Sequence, residues 1–230
     1  MIFAHPDDET FGLGGTTIKL TKIGHTVNLI TATKGEAGLP GTPPITTMDK
    51  LPIVREQELK NSAKITGIKK IYFLGEIDGT LHKIKTENLV KKILPILKKE
   101  NPDIIITFDS TGGSNHPDHK AIGKAATAAY LKYCTKSKKH IKLYHTAIPQ
   151  SNLEKLAKLG LEYKEFGKME GTPDDLITTK TDIRDVFKQK TRAMKMHKTQ
   201  NKDWQRILGR KTAIDLNYEY LRLIYEHNLI

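Results

Sequence analysis

The 230-residue chain has one cysteine, Cys134, and one tryptophan, and only 7% of its residues are aromatic. A single thiol excludes an intramolecular disulfide and a metal centre built on sulfur, so any bound ion must be held by nitrogen and oxygen. No apolar run approaches the ~20 residues that cross a bilayer, and no charged-then-apolar leader is read at the amino end. The expectation is a cytoplasmic enzyme without a membrane partner. Acidic residues are also in deficit: 26 Asp+Glu against 38 Lys+Arg leave a net charge of +12. The excess is spread along the chain, with small clusters at Lys98-Lys99 and Lys136 to Lys139, and no basic stripe alternates with aromatics. That pattern describes a solvated lysine-rich surface, so nucleic acid is not an expected partner. With 37% hydrophobic residues, no internal repeat and no low-complexity linker, residues 1–230 are read as one α/β domain.

What is present is concentrated in two stretches. The first is Met1-Ile2-Phe3-Ala4-His5-Pro6-Asp7-Asp8-Glu9-Thr10-Phe11-Gly12, a short apolar run ending in a histidine, a proline and adjacent carboxylates. Pro6 suits the first position of a helix and the carboxylates suit the positive end of its dipole. His5, Asp7 and Asp8 are therefore expected at the carboxyl end of a strand, where open α/β sheets place their ligands. The second follows the apolar run Ile104 to Phe108 and reads Asp109-Ser110-Thr111-Gly112-Gly113-Ser114-Asn115-His116-Pro117-Asp118-His119. It is again a strand, a polar loop and a proline-containing helix start, with two histidines three apart. Side by side, the two strand ends offer His5, Asp8 and one of His116 and His119. That is the usual three-ligand complement of a catalytic zinc with an open position for water. Spacing alone does not choose between the two histidines.

Ala4-His5-Pro6-Asp7-Asp8-Glu9 and His116-Pro117-Asp118-His119 resemble the two signatures of the LmbE/PIG-L-type zinc-dependent N-acetylglucosaminide deacetylases. Further similarity lies in Gly12-Leu13-Gly14-Gly15, Thr33 to Gly38, Arg55-Glu56-Gln57-Glu58, Leu74 to Gly79, and His197-Lys198-Thr199-Gln200. The resemblance implies Zn2+, replaceable by Fe2+ or Co2+, held by His5, Asp8 and His119, and an N-acetylated amino sugar as substrate. It assigns Asp7 as general base, in agreement with its place beside a ligand, and places His116 by the metal to stabilise the oxyanion as an imidazolium. Arg55, Asp78 and His197 are expected to meet the substrate, and Asp118 to orient His116 or His119. The first strand is shorter than the family pattern, as though trimmed. Ser114 and Asn115 stand where some members carry a tyrosine.

Strand and helix signals alternate, which predicts a Rossmann-like three-layer α/β fold with a mostly parallel sheet. Helices are expected over Thr16 to Ile23, Leu51 to Thr66, Thr86 to Lys99, His116 to Cys134, Asn152 to Leu159 and Asp182 to His197. Strands are expected over Val27 to Thr31, Ile71 to Leu74, Asp103 to Phe108 and Ile141 to Ile148, with Tyr218 to Ile230 readable as either. The Gly- and Pro-rich stretch Lys34 to Lys50 is read as a loop walling the site. Two rival readings are a metal-dependent amidase acting on a non-sugar N-acyl compound, and a non-catalytic nucleotide-binding α/β module. The second is weakened because Gly12, Gly14 and Gly15 follow the His-Asp cluster and form no Gly-x-Gly-x-x-Gly after a strand. Homo-oligomerisation is left open.

Overall fold

In the computed structural model, which describes residues 1–135, 137 and 139–227, the apolar runs become strands and the intervening segments helices. The strands are β1 (Ile2–Phe3), β2 (Asn28–Thr31), β3 (Lys70–Phe73), β4 (Ile104–Thr107), β5 (Ile141–Ala147), β6 (Thr179–Asp182) and β7 (Tyr218–His227). The helices are α1 (Asp8–Lys22), α2 (Leu51–Thr66), α3 (Thr86–Glu100), α4 (Pro117–Cys134), α5 (Gln150–Lys158), α6 (Phe187–Met194) and α7 (Asn201–Gly209). One sheet runs β1-β2-β3, all parallel, and the other runs β4-β5-β7-β6. In the second, β4 and β5 are parallel, whereas β7 is antiparallel to both β5 and β6. The sheets meet at β1 and β4, where Thr107 Oγ1 donates to Ile2 O at 2.9 Å.

This arrangement sets the position of the site. The chain steps outward from β1 to β3, crosses back to β4 and continues in the opposite direction to β5. Right-handed crossovers then put α1 and α2 on one face and α3 and α4 on the other. The packing agrees: α1 and α2 lie against each other and against α6, and α3 lies against α4. Such a reversal of strand order opens a crevice at the strands' carboxyl ends, and β1 and β4 border it. Ile2, Phe3 and Ile105 of these strands are among the largest fully enclosed side chains. Small residues let α4 approach closely, since Ala125, Ala126 and Ala129 are buried and a Cβ on Gly123 would stand 2.8 Å from Phe108 O.

Three elements differ from the sequence reading. Helix α1 starts at Asp8 rather than Thr16, so Pro6 precedes the helix instead of opening it, and α1 kinks at Leu13 (φ −134°, ψ 20°). The kink frees backbone N–H groups, and the Glu219 carboxylate of β7 accepts those of Gly15 (2.9 Å) and Thr16 (2.6 Å). Lys190 Nζ completes the strut 2.7 Å from Glu219 Oε1, with both side chains buried. The segment Asp182 to His197 divides between the end of β6 and a shorter α6, because β6 pairs along β7 up to Asp182. The carboxyl-terminal segment resolves to a strand, Tyr218–His227, and residues 228–230 lie outside the described residues.

Glu219→Ala would leave Lys190 buried without its counter-charge and two amides without an acceptor. Removing one partner of a buried pair costs about 3–5 kcal/mol. The urea unfolding midpoint, followed by circular dichroism, should fall accordingly. An unchanged midpoint would contradict the strut.

Candidate metal centre and active site

The first turn after β1 folds back on the strand end. Asp8 Oδ2 accepts the backbone N–H groups of Ala4 (3.1 Å) and His5 (2.8 Å), which aims Asp8 Oδ1 across the sheet junction. There it meets His119 Nε2 at 3.2 Å. His5 Nδ1 lies 3.1 Å from the same His119 nitrogen and 3.7 Å from Asp8 Oδ2. Two imidazole nitrogens and a carboxylate thus face one point, where one proton at most can sit between the two rings. A set of two nitrogens and one oxygen with this convergence fits a divalent cation with an open coordination position. The electrostatics favour positive charge there too. Burial opposes a charged His5, but the Asp118 and Asp78 carboxylates and the charge on Asp8 override it and push the ring up to about 10. Burial likewise works against a charged Asp8, yet His119 and His5 hold that carboxyl well below the usual range.

His119 is fixed from behind. Its Nδ1 donates to Gly112 O at 2.9 Å, which leaves Nε2 as the lone-pair nitrogen. The Phe108 ring stacks on it at 4.2 Å with planes 5° apart. Gly112 holds φ +66°, and a Cβ there would stand 2.7 Å from His119 Cβ, so this approach requires glycine.

Asp7 and Asp8 are adjacent yet point apart, and the cause is in the backbone. Asp7 sits at φ +123°, a conformation that costs a non-glycine residue of order 1–3 kcal/mol and clusters at functional sites. Its carbonyl accepts from Thr10 N and Phe11 N to start α1, while its side chain turns to Arg55, whose Nη2 lies 3.1 Å from Asp7 Oδ2. Burial pushes the Asp7 carboxyl well up, and the Arg55 guanidinium pulls it back. His116 caps α4, its Nδ1 accepting the Asp118 N–H at 3.1 Å. A ring nitrogen that accepts a hydrogen bond carries no proton, so His116 is a neutral imidazole here and not the imidazolium expected. Burial, with His119 and His5 nearby, pushes it down to about 4. Its free edge, Nε2–H, is a donor.

The remaining expected residues sit differently from their sequence reading. Arg55 is buried, with Nη1 on Gly35 O (2.7 Å) and Nη2 on Pro6 O (2.8 Å) as well as on Asp7. Asp78 stands with Oδ1 2.8 Å from His5 Nε2. His197 is fully enclosed, edge-on to Phe11 with its Nε2 3.8 Å from Glu9 Oε1, and burial pushes it down to about 3. Arg55 and Asp78 are thus engaged by protein groups, although Arg55 Nε and both ring nitrogens of His197 have no hydrogen-bond partner. Asp118 is fully buried; its carboxylate faces His5 Nε2 at 3.6 Å and His82 Nδ1 at 3.3 Å, and it meets the His116 ring through its backbone N–H alone. The late motif is a fastening: Thr199 donates through N (2.8 Å) and Oγ1 (2.6 Å) to Glu58, and Gln200 Nε2 donates to Leu39 O. Arg55-x-x-Glu58 thereby joins the start of α1 to the 198–200 turn and to the wall loop.

Two contributors escaped the sequence reading. Phe108 orients His119, and its only signal was its place at the end of an apolar run before the loop. Phe166 stands with its ring 4.4 Å from that of His116, and Asn115 Nδ2 donates to Lys168 O, so the segment around 163–168 forms a second wall. Nothing local in that segment announces this.

The profile of the family described as "PIG-L: GlcNAc-PI de-N-acetylase" matches residues 1–130. A curated relative from Bacillus cereus, named "Probable N-acetyl-alpha-D-glucosaminyl L-malate deacetylase 2", is 31% identical over 201 residues, spanning 87% of this chain and 82% of its own. A 1D-myo-inositol 2-acetamido-2-deoxy-alpha-D-glucopyranoside deacetylase from Saccharopolyspora erythraea is 28% identical over 234 residues, with 87% and 82% covered. Among solved structures, the N,N'-diacetylchitobiose deacetylase of Pyrococcus horikoshii superposes with a TM-score of 0.67 at 24% identity, covering 97% of this chain and 82% of that one. The last comparison speaks to the fold.

Proposed function

The chain belongs to the PIG-L, GlcNAc-PI de-N-acetylase family, and on that premise we propose that it is a zinc-dependent hydrolase removing the acetyl group from an N-acetylglucosamine-bearing small molecule or oligosaccharide. The observation that carries the reading is the convergence of His5 Nδ1, Asp8 and His119 Nε2 within 3.1–3.7 Å, with a second carboxylate turned away beside them. Those three residues would hold the ion. When bound, a zinc ion supplies Lewis acidity and lowers the pKa of water from 15.7 to about 7.

The protein's own groups do the rest. Asp7, held by Arg55 at Oδ2, accepts the proton of the attacking water on its carboxylate and hands it to the departing amine. His116, its Nδ1 occupied by the Asp118 N–H, has only Nε2–H to give, and that donor is assigned to the amide oxygen as negative charge gathers there. A neutral ring donates without adding a full charge beside the metal. Phe166 and the loop Lys34 to Lys50 wall the approach. Among the described residues no helix is long and apolar enough to cross a membrane. The Gly15 and Thr16 amides already serve Glu219, which counts against a phosphate cradle there and hence against the nucleotide-binding alternative.

The test is acetate release from a panel: the N-acetylglucosaminides of inositol and malate, N,N'-diacetylchitobiose, and N-acetyl amino acids. The glucosaminides should be hydrolysed well ahead of the amino acids, since hydroxyl-binding groups left unpaired by a wrong substrate are costly. Equal rates across the panel would favour the non-sugar amidase.

A further inference from the structure

We propose that Asp78 is a positioning residue for the metal ligand His5, and that through the same carboxylate it ties the wall loop to the ligand cluster. For His5 to ligate through Nδ1, its ring proton must reside on Nε2, and something must hold that proton. Asp78 Oδ1 is 2.8 Å from Nε2, closer than Asp118 Oδ2 at 3.6 Å, although the ring N–H is aligned well with neither. Asp78 Oδ2 accepts the backbone N–H of Ala37 at 3.1 Å, in the loop that follows β2. The turn is closed next door, where Gly79, at φ +78°, donates its N–H to Asp118 Oδ2 at 2.7 Å. Asp78 is buried, its Oδ2 accepts the Ala37 N–H and its Oδ1 lies against His5 Nε2. A substrate hydroxyl would have to displace one of them.

The carboxylates of Asp78 and Asp118 also come within cation-binding reach of one another at His5 Nε2. The two clusters share His5, and a ring that ligates through Nδ1 keeps its proton on Nε2, so the two carboxylates face that proton rather than a second ion. Carboxylates behind a ligating histidine fix its tautomer and raise its basicity, and their loss typically weakens metal binding 10–100-fold.

The inference rests on the metal-site reading, and the test separates the two. The zinc dissociation constants of full-length wild type, Asp78→Asn and Asp78→Ala are measured by chelator competition, with the absorption spectrum of the Co2+-loaded forms as a second readout. The asparagine is isosteric but must aim its NH2 group at either the His5 Nε2–H or the Ala37 N–H, a donor against a donor. Asp78→Asn is expected to bind zinc 10–100-fold more weakly with an altered Co2+ spectrum. Asp78→Ala, which lets water reach His5 Nε2, is expected to fall between wild type and asparagine. Zinc affinity and spectrum unchanged in both variants, with a raised KM for a glucosaminide, would overturn the proposal in favour of a substrate contact. Wild-type protein that binds no zinc would overturn the metal-site reading and this inference together.

Discussion

Replacing His119 with alanine is expected to remove zinc and acetate release together. The wild-type chain should carry about one divalent ion through three protein ligands, and the variant keeps only His5 and Asp8. Two ligands leave the remaining imidazole and carboxylate facing a half-open site, where protons compete effectively for the same lone pairs. The substitution leaves the Gly112 turn without its partner at Nδ1 and Phe108 without its stacked ring, so unfolding must be monitored alongside. His5→Ala should behave in the same way. The check is elemental analysis after stripping and zinc repletion, beside the rate of acetate release. A His119→Ala protein that retains a full equivalent of zinc would refute the ligand assignment.

The second large effect is expected at Asp7. Asp7→Asn preserves shape and the contact with Arg55 through its amide oxygen, but it removes the basic carboxylate. The rate should fall by roughly 10²–10⁴, the usual worth of general base catalysis. That corresponds to about 3–5 kcal/mol of barrier. Zinc content should not change, because the Asp7 carboxylate is held by Arg55 and is not among the three groups assigned to the ion. A variant that instead loses its zinc, and regains activity when metal is resupplied, would mean that Asp7 is the ligand and Asp8 the base.

How much of this was legible without coordinates differs between the backbone and the side chains. The alternation of apolar runs with helical segments predicted the α/β class, and strands β2, β4 and β5 fall within the predicted runs. Strand β6 and helix α7 were not anticipated. Thr179–Asp182 is short, polar and half-exposed along an edge, so it carries neither the alternation nor the apolar run that marks a strand. The amides at the α1 kink are taken up by Glu219, some two hundred positions away, and no local pattern contains that partner.

At the site, the gathering of histidines and carboxylates at two strand ends can be read locally, since His5 to Asp8 and His116 to His119 are each carried on a few consecutive residues. What each group faces is set by packing between distant segments. The fold separated His116 from His119 by giving one ring to the Asp118 N–H and turning the other to Gly112 O, so that their free nitrogens differ. It brought Arg55 to Asp7, Asp78 to His5 and His197 into an enclosed place beside Phe11, contacts that no local pattern around these residues contains. The physical reason is range. Helix starts, turns and apolar periodicity are settled by hydrogen bonds and sterics within a few residues of the chain. The partner of a buried charge is whichever group from another segment offsets its desolvation, and packing alone brings that segment there.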